Sequence, residues 1–208
     1  MTMFYALDKD PQACARAMAD AHLRRAVTDA ALLLSSAWHY LHHPLQHAED
    51  DPAALGAVFE DRTRPAANAA EPHPTIQADG PFSVSDGVTA HLLLGQRICA
   101  GGYYHDPWPA WARLRSVHYR WLWRVGVAAA EEFEWRFSQQ HAARAALRTL
   151  EPLPPRLLAP PHGWLTFPYA LPDGYWCEDV VGSYRVCYAA GRAWDLAYTR
   201  RAPPGWLV

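Results

Sequence analysis

Lysine is almost missing from this chain of 208 residues: Lys9 is the single lysine among 19 Lys and Arg side chains. Lysine-based Schiff-base chemistry therefore has one candidate. The positive charge lies almost wholly in guanidinium groups, which grip phosphate and carboxylate bidentately and stack on aromatic planes; a high-GC coding bias produces the same ratio without function. Cysteine is also sparse. Cys14, Cys99, Cys177 and Cys187 form no CxxC pair and no close Cys/His spacing, which speaks against a zinc ribbon or a disulfide scaffold and for ordinary reduced thiols. No apolar run approaches the roughly 20 residues that span a bilayer, and the opening MTMFYALDKD has no basic-then-apolar leader pattern. A soluble cytoplasmic protein with no membrane partner is expected. Internal repeats and low-complexity tracts are missing as well.

Half of the residues are hydrophobic, enough to build one core at this length, so a single domain over 1–208 is expected. The charges are unevenly spread. Residues 1–79 carry 11 acidic and 6 basic side chains, whereas residues 80–208 carry 10 and 13. The later part could face a polyanion, although a mildly acidic chain is a poor nonspecific binder of long duplexes.

Local patterns predict a mainly α-helical fold, a compact helical domain with a short N-terminal strand and long loops. MFYAL (3–7) reads as the strand, and Asp8-Lys9-Asp10-Pro11 as a turn and cap that start a helix to about Leu41. On that helix His22 and Asp29 are two turns apart on one face. Residues 42–84 have weak periodicity and read as a mobile loop-rich insertion with one short helix at 52–60. Val88–Cys99 fits either a helix or a strand. Asp106-Pro107 caps a long helix to about Leu150, the prolines from Pro152 to Pro161 enforce an extended linker, 165–170 is loop or extended, 178–198 forms a last helix, and the tail is irregular.

The long helical pattern carries polar side chains that a core would not need. Trp111, Arg115, His118, Leu122, Val125, Ala129, Glu132, Arg136 and Phe137 fall near one face. Burying such a mixture requires that every polar group be paired, because an unmade buried hydrogen bond costs about 1–3 kcal/mol. The stripe is either a structural network or a site: Glu132 and Arg136 have ordinary i,i+4 salt-bridge spacing, and tryptophans more often fill cores than hold ligands.

Three kinds of group could carry chemistry. Thr2 has a side chain small enough for the initiator methionine to be removed, and its α-amine would then titrate near 8, roughly, making it an amine nucleophile near neutrality. Asp29 is an acid placed on a helix face, as N-glycosidic chemistry needs for proton transfer or for stabilising an oxocarbenium ion; a salt bridge to Arg25 or Arg24 is the plain alternative. Asp20 and His22 share its helix. Tyr119, Tyr184, Tyr188 and Trp111 could stack a nucleobase or simply fill a core. No metal site or cofactor is expected, since no first shell of ligands is visible, although His42, His43 and His47 could take up a metal adventitiously.

The pattern LDKDP (7–11), DAH (20–22) with Asp29, DPWPAW (106–111) with Ser116 and His118-Tyr119, EFEWRF (132–137) with His141, and SYRVCY (183–188) resembles a family of uncharacterised tailed-phage proteins. The resemblance covers about three-quarters of the chain, leaving out 42–100, and implies the cytoplasm of a bacterial host. ADAHLRRAVTD (19–29) is further similar to the first helix of the pyrimidine-dimer DNA glycosylases, which place a catalytic acid seven residues after the histidine. Here that position is Asp29, an Asp where those enzymes have Glu. This similarity implies a DNA N-glycosylase or base-processing enzyme, without cofactor and expected to be a monomer, that flips a damaged or modified base. Thr2 would be the nucleophile, Asp29 the acid, and His22 a catalytic partner that with Arg25 and Arg113 positions phosphate. Asp20, Trp111, Ser116, His118, Tyr119, Glu132, Arg136 and His141 would line the substrate site. A base-modifying transferase and a non-catalytic factor that binds nucleic acid or a host protein are the alternative readings.

Overall fold

The computed structural model describes residues 4–42, 89–93, 96–100, 106–154, 157, 165–172, 174–191 and 196–207. Thr2 and the segment 43–84, with its expected helix at 52–60, lie outside them. The described chain is mainly α, with helices α1 (Pro11–Ala17), α2 (Asp20–His42), α3 (Pro107–Leu114), α4 (Ser116–Phe137), α5 (Arg144–Thr149) and α6 (Val180–Ala190). Between α2 and α3, β1 (Thr89–Leu93) and β2 (Gln96–Ala100) form an antiparallel hairpin in which Thr89 pairs with Ala100. No helix among the described residues is long and apolar enough to cross a membrane.

Residues 4–7 are not a strand. Phe4, Tyr5, Ala6 and Leu7 are buried, and side chains take the place of a neighbouring strand. The Leu7 carbonyl accepts from Arg185 Nε at 2.8 Å, and the Cys14 thiol donates to the Tyr5 carbonyl. Burial pushes that thiol up to about 12, so it is inert. The turn and cap after it follow the sequence reading: Asp10 accepts from Ala13 N, and Pro11 opens α1.

The expected helix over 11–41 is broken at Met18, which is extended, and the expected helix over 107–150 is broken twice. Arg115 is extended, with φ −149°. In an unbroken helix the Arg115 N–H would bond the Trp111 carbonyl; here His118 Nδ1 bonds that carbonyl instead, at 3.0 Å. The second break is Ser138 in the left-handed region, φ 54°, whose N–H closes α4 on the Glu134 carbonyl. The last helix is half the expected length, capped by Asp179 at its start.

The core forms where α2 and α4 cross. A Cβ at Gly126 would lie 2.9 Å from Ala30 Cβ and 2.9 Å from a Leu147 methyl, so glycine sets how closely the two helices approach. Beside this contact Trp108 meets Phe4, Trp111 and Trp121, and Trp121 packs on Phe167. Four indole and phenol tips around it reach backbone carbonyls: Trp121 to Lys9, Trp111 to Thr166, Tyr119 to Leu150 and Tyr184 to Pro168.

Candidate functional site

The polar residues singled out by the sequence divide into groups that hold the fold and one group with the electrostatics of a reactive site. Arg136 is the centre of the first. Its guanidinium, buried to 1% exposure, donates from Nε to Glu132 (2.8 Å), from Nη1 to the Met18 carbonyl (2.8 Å) and Asp20 (3.0 Å), and from Nη2 to the Arg16 carbonyl (3.0 Å). It thus satisfies carbonyls released where α1 ends. Asp20 accepts on its other oxygen from the Thr199 amide and hydroxyl, and Glu132 accepts twice from Arg201. Desolvation pushes both carboxyls up, but hydrogen bonds from Thr199 and Arg136 hold Asp20 below its ordinary range, and those from Arg201 and Arg136 do the same for Glu132. Both are permanent anions at neutral pH, tied down by three elements.

Asp29 behaves in the opposite way. It sits on α2, 6% exposed, and Arg25 Nε is its ion-pair partner at 3.2 Å, one turn back. That arginine side chain is 42% exposed, so its charge is screened by water. Burial therefore wins and pushes the Asp29 carboxyl up to about 6; Arg25 opposes the rise, and the Asp106 carboxylate at the cap of α3 adds to it. A carboxyl group with a pKa near 6 can both deliver and accept a proton near neutrality.

The other expected site residues are placed as follows. His22 is fully enclosed, edge-on to Tyr5; the Tyr188 hydroxyl accepts from Ala19 N and shares a hydrogen bond of 3.2 Å with His22 Nδ1. Burial, assisted by Arg25, drives its pKa down to about 3, so it is a neutral packing group and not a phosphate contact. Trp111 and Tyr119 are core residues, at 2% and 0% exposure, and present no face to a base. His118 stacks on Trp111 with ring centroids 4.4 Å apart. The Arg113 guanidinium lies 4.0 Å from the Tyr40 ring centre, and the residue is 8% exposed. Ser116 opens α4, half-buried. His141 Nε2 donates to the Arg24 carbonyl and Nδ1 accepts from Ala143 N, a neutral arrangement that agrees with its lowered pKa, caused chiefly by desolvation.

Of the thirteen expected positions, then, the structure pairs Asp29 with Arg25, and gathers Asp20, Glu132 and Arg136 into a separate structural cluster. Asp106, Thr199 and Arg201 complete these two groups and were not among the expected site residues. Asp106 had a visible signal in the Asp-Pro helix start. Thr199 and Arg201 had none, because a tail without periodicity does not reveal which carboxylates it will meet. Among the described residues no group of three or more His, Cys, Asp or Glu is arranged to hold a metal ion.

No protein-family model matches the chain, and no curated protein or solved structure matches it either.

Proposed function

We propose that the protein is a DNA base-processing enzyme of N-glycosylase type in which Asp29 is the proton-transferring acid. The observation that carries this reading is the buried Asp29 carboxyl, pushed up to about 6 beside an exposed Arg25. Its position seven residues after His22 in the ADAHLRRAVTD segment supplies the substrate class through the likeness to pyrimidine-dimer glycosylases. Arg25, exposed and 3.2 Å from Asp29, would meet a backbone phosphate in this reading.

In this mechanism the Thr2 α-amine, exposed by removal of Met1, attacks C1′ of a flipped nucleotide. The C1′–N bond breaks, and the departing base takes the proton of the Asp29 carboxyl. The new C1′ ammonium returns a proton to the Asp29 carboxylate. That proton then passes to O4′ as the sugar ring opens to an iminium on Thr2, which water can hydrolyse. A group with a pKa near 6 is suited to giving and regaining a proton within one cycle.

The test is borohydride trapping of the untagged protein on oligonucleotides carrying an abasic site, a thymine dimer or a modified base. A covalent adduct mapping to Thr2, together with loss of turnover in a folded Asp29→Asn variant, is the expected result. Undiminished turnover in that variant removes Asp29 from the chemistry. If no strand gives an adduct, the base-modifying transferase and the non-catalytic binding factor replace the glycosylase reading.

A further inference from the structure

A cleft of about 240 Å³ opens between α1, the second half of α4 and the tail, lined by Gln12 and Arg16, by Ala128, Glu131, Glu132 and Trp135, and by Arg201. None of its residues was expected to bind substrate except Glu132, whose carboxylate is fully engaged with Arg136 and Arg201.

The cleft is rich in unused donors. Gln12 and Arg16 are exposed and one turn apart on α1. The Arg16 contact to Arg136 goes through its backbone carbonyl, which leaves its guanidinium without an ion-pair partner among the described residues. Arg201 uses Nε and Nη2 on Glu132 and keeps Nη1. Its guanidinium carbon lies 4.7 Å from the Trp135 ring centre, and Trp135 is 48% exposed with no hydrogen bond on Nε1 among the described residues. Arg200, at φ 59°, turns the tail so that its own side chain caps the end of α4 on the Trp135 carbonyl and Ser138 while Arg201 points along the helix to Glu132. Two arginines, a glutamine and an exposed tryptophan thus line one cleft, with Glu131 and the engaged Glu132 beside them.

We propose that this cleft binds the phosphate group of a nucleotide. Arg16 and the free edge of Arg201 grip the phosphate, Trp135 gives an apolar wall to the sugar or base, and Glu131 at the rim accepts from a hydroxyl or amino group. A cleft of about 240 Å³ is of the size to seat a single phosphate with its sugar. The choice of a nucleotide rests on the DNA reading above. The anion chemistry of the cleft does not, because none of its residues takes part in proton transfer at Asp29.

The test is titration of the full chain by calorimetry and by the Trp135 indole N–H signal, assigned through Trp135→Phe. The probes are deoxyadenosine 5′-monophosphate, deoxyadenosine and inorganic phosphate. Saturable binding of the monophosphate, competition by inorganic phosphate, and a loss of about tenfold or more on removing the phosphate or in Arg16→Ala are expected, since a charge-assisted hydrogen bond is worth roughly that. Arg16 is exposed, so its truncation leaves the fold intact, which the melting curve checks; Arg120→Ala, on an exposed position of α4 outside the cleft lining, leaves affinity unchanged. Equal binding of the nucleoside and the monophosphate, or an unaltered affinity in Arg16→Ala, overturns the proposal. Asp29→Asn binds the monophosphate as the wild type does. Monophosphate binding without any DNA turnover therefore removes the base-processing reading alone, and DNA turnover by a protein whose cleft ignores phosphate removes this one alone.

Discussion

Asp29 with Arg25 and Glu132 with Arg136 look alike on paper: each is an acid and an arginine four residues apart on a helix, with the acid nearly buried. Their carboxyls nevertheless shift in opposite directions. Glu132 meets two guanidinium groups and Asp20 meets Arg136 and Thr199, so hydrogen bonds outweigh desolvation. Asp29 meets one arginine whose charge is half in water, and desolvation prevails. The number and burial of the donors decide whether a buried acid is a fixed anion or a proton carrier.

The largest test of this contrast is Arg136→Met. It leaves Asp20 and Glu132 buried with fewer partners and orphans the Arg16 and Met18 carbonyls, so urea unfolding should show a loss of about 3–5 kcal/mol, typical of removing one member of a buried charge cluster. Asp29→Asn should act in the other direction. The folded-state pKa of Asp29, near 6, lies above its ordinary 3.8, so in the wild type this group favours the fold below pH 3.8 and that contribution is lost as pH rises to 6. The Asn variant should match the wild type near pH 4 and exceed it at pH 7 by up to about 3 kcal/mol. His22 has the reverse linkage: its folded value near 3 lies below 6.5, so its contribution is present above 6.5 and is lost on acidification. With Asp29 replaced, stability should fall more steeply between pH 6 and 4, by about 1.4 kcal/mol per pH unit.

Arg201→Ala is milder. It removes two hydrogen bonds to Glu132 from a partly exposed side chain, and a loss of about 1 kcal/mol is expected in the same unfolding experiment. The smallest effect should come from Arg25→Gln, read by carboxyl-carbon NMR. Asp29 should titrate higher still, because Arg25 opposes its rise, while Asp20 and Glu132 remain below the ordinary carboxylate range. If Asp29 moves down instead, burial is not what raises it.

Helix starts were legible in the sequence because their causes are local. Asp10-Pro11 and Asp106-Pro107 cap α1 and α3 as their residue types demand. The Glu132–Arg136 pair and the buried face shared by His22 and Asp29 followed from helical spacing alone. The breaks at Met18 and Arg115 carry neither Gly nor Pro and were invisible: at Met18 distant partners take over, with Arg136 on the Met18 carbonyl from 118 residues away and the Asp20 N–H on the Ala197 carbonyl, and at Arg115 a side chain, His118, takes the Trp111 carbonyl that the helix would have used. The donors that separate a structural acid from a reactive one are similarly remote. Sequence spacing located both acids and left their different chemistry open, because Arg201 and Thr199 come from a tail with no periodicity.

Thr199 follows its partner Asp20 by 179 residues. At a translation speed of roughly 5–20 residues per second, Asp20 leaves the ribosome roughly ten to forty seconds before the residue that completes its hydrogen bonding. Until then water must serve one of its oxygens, and likewise the Glu132 oxygens that await Arg201. The nascent chain can therefore cross α2 over α4 early, but the side of the molecule built on Arg136 stays wet and open to chaperones or proteases until the tail docks.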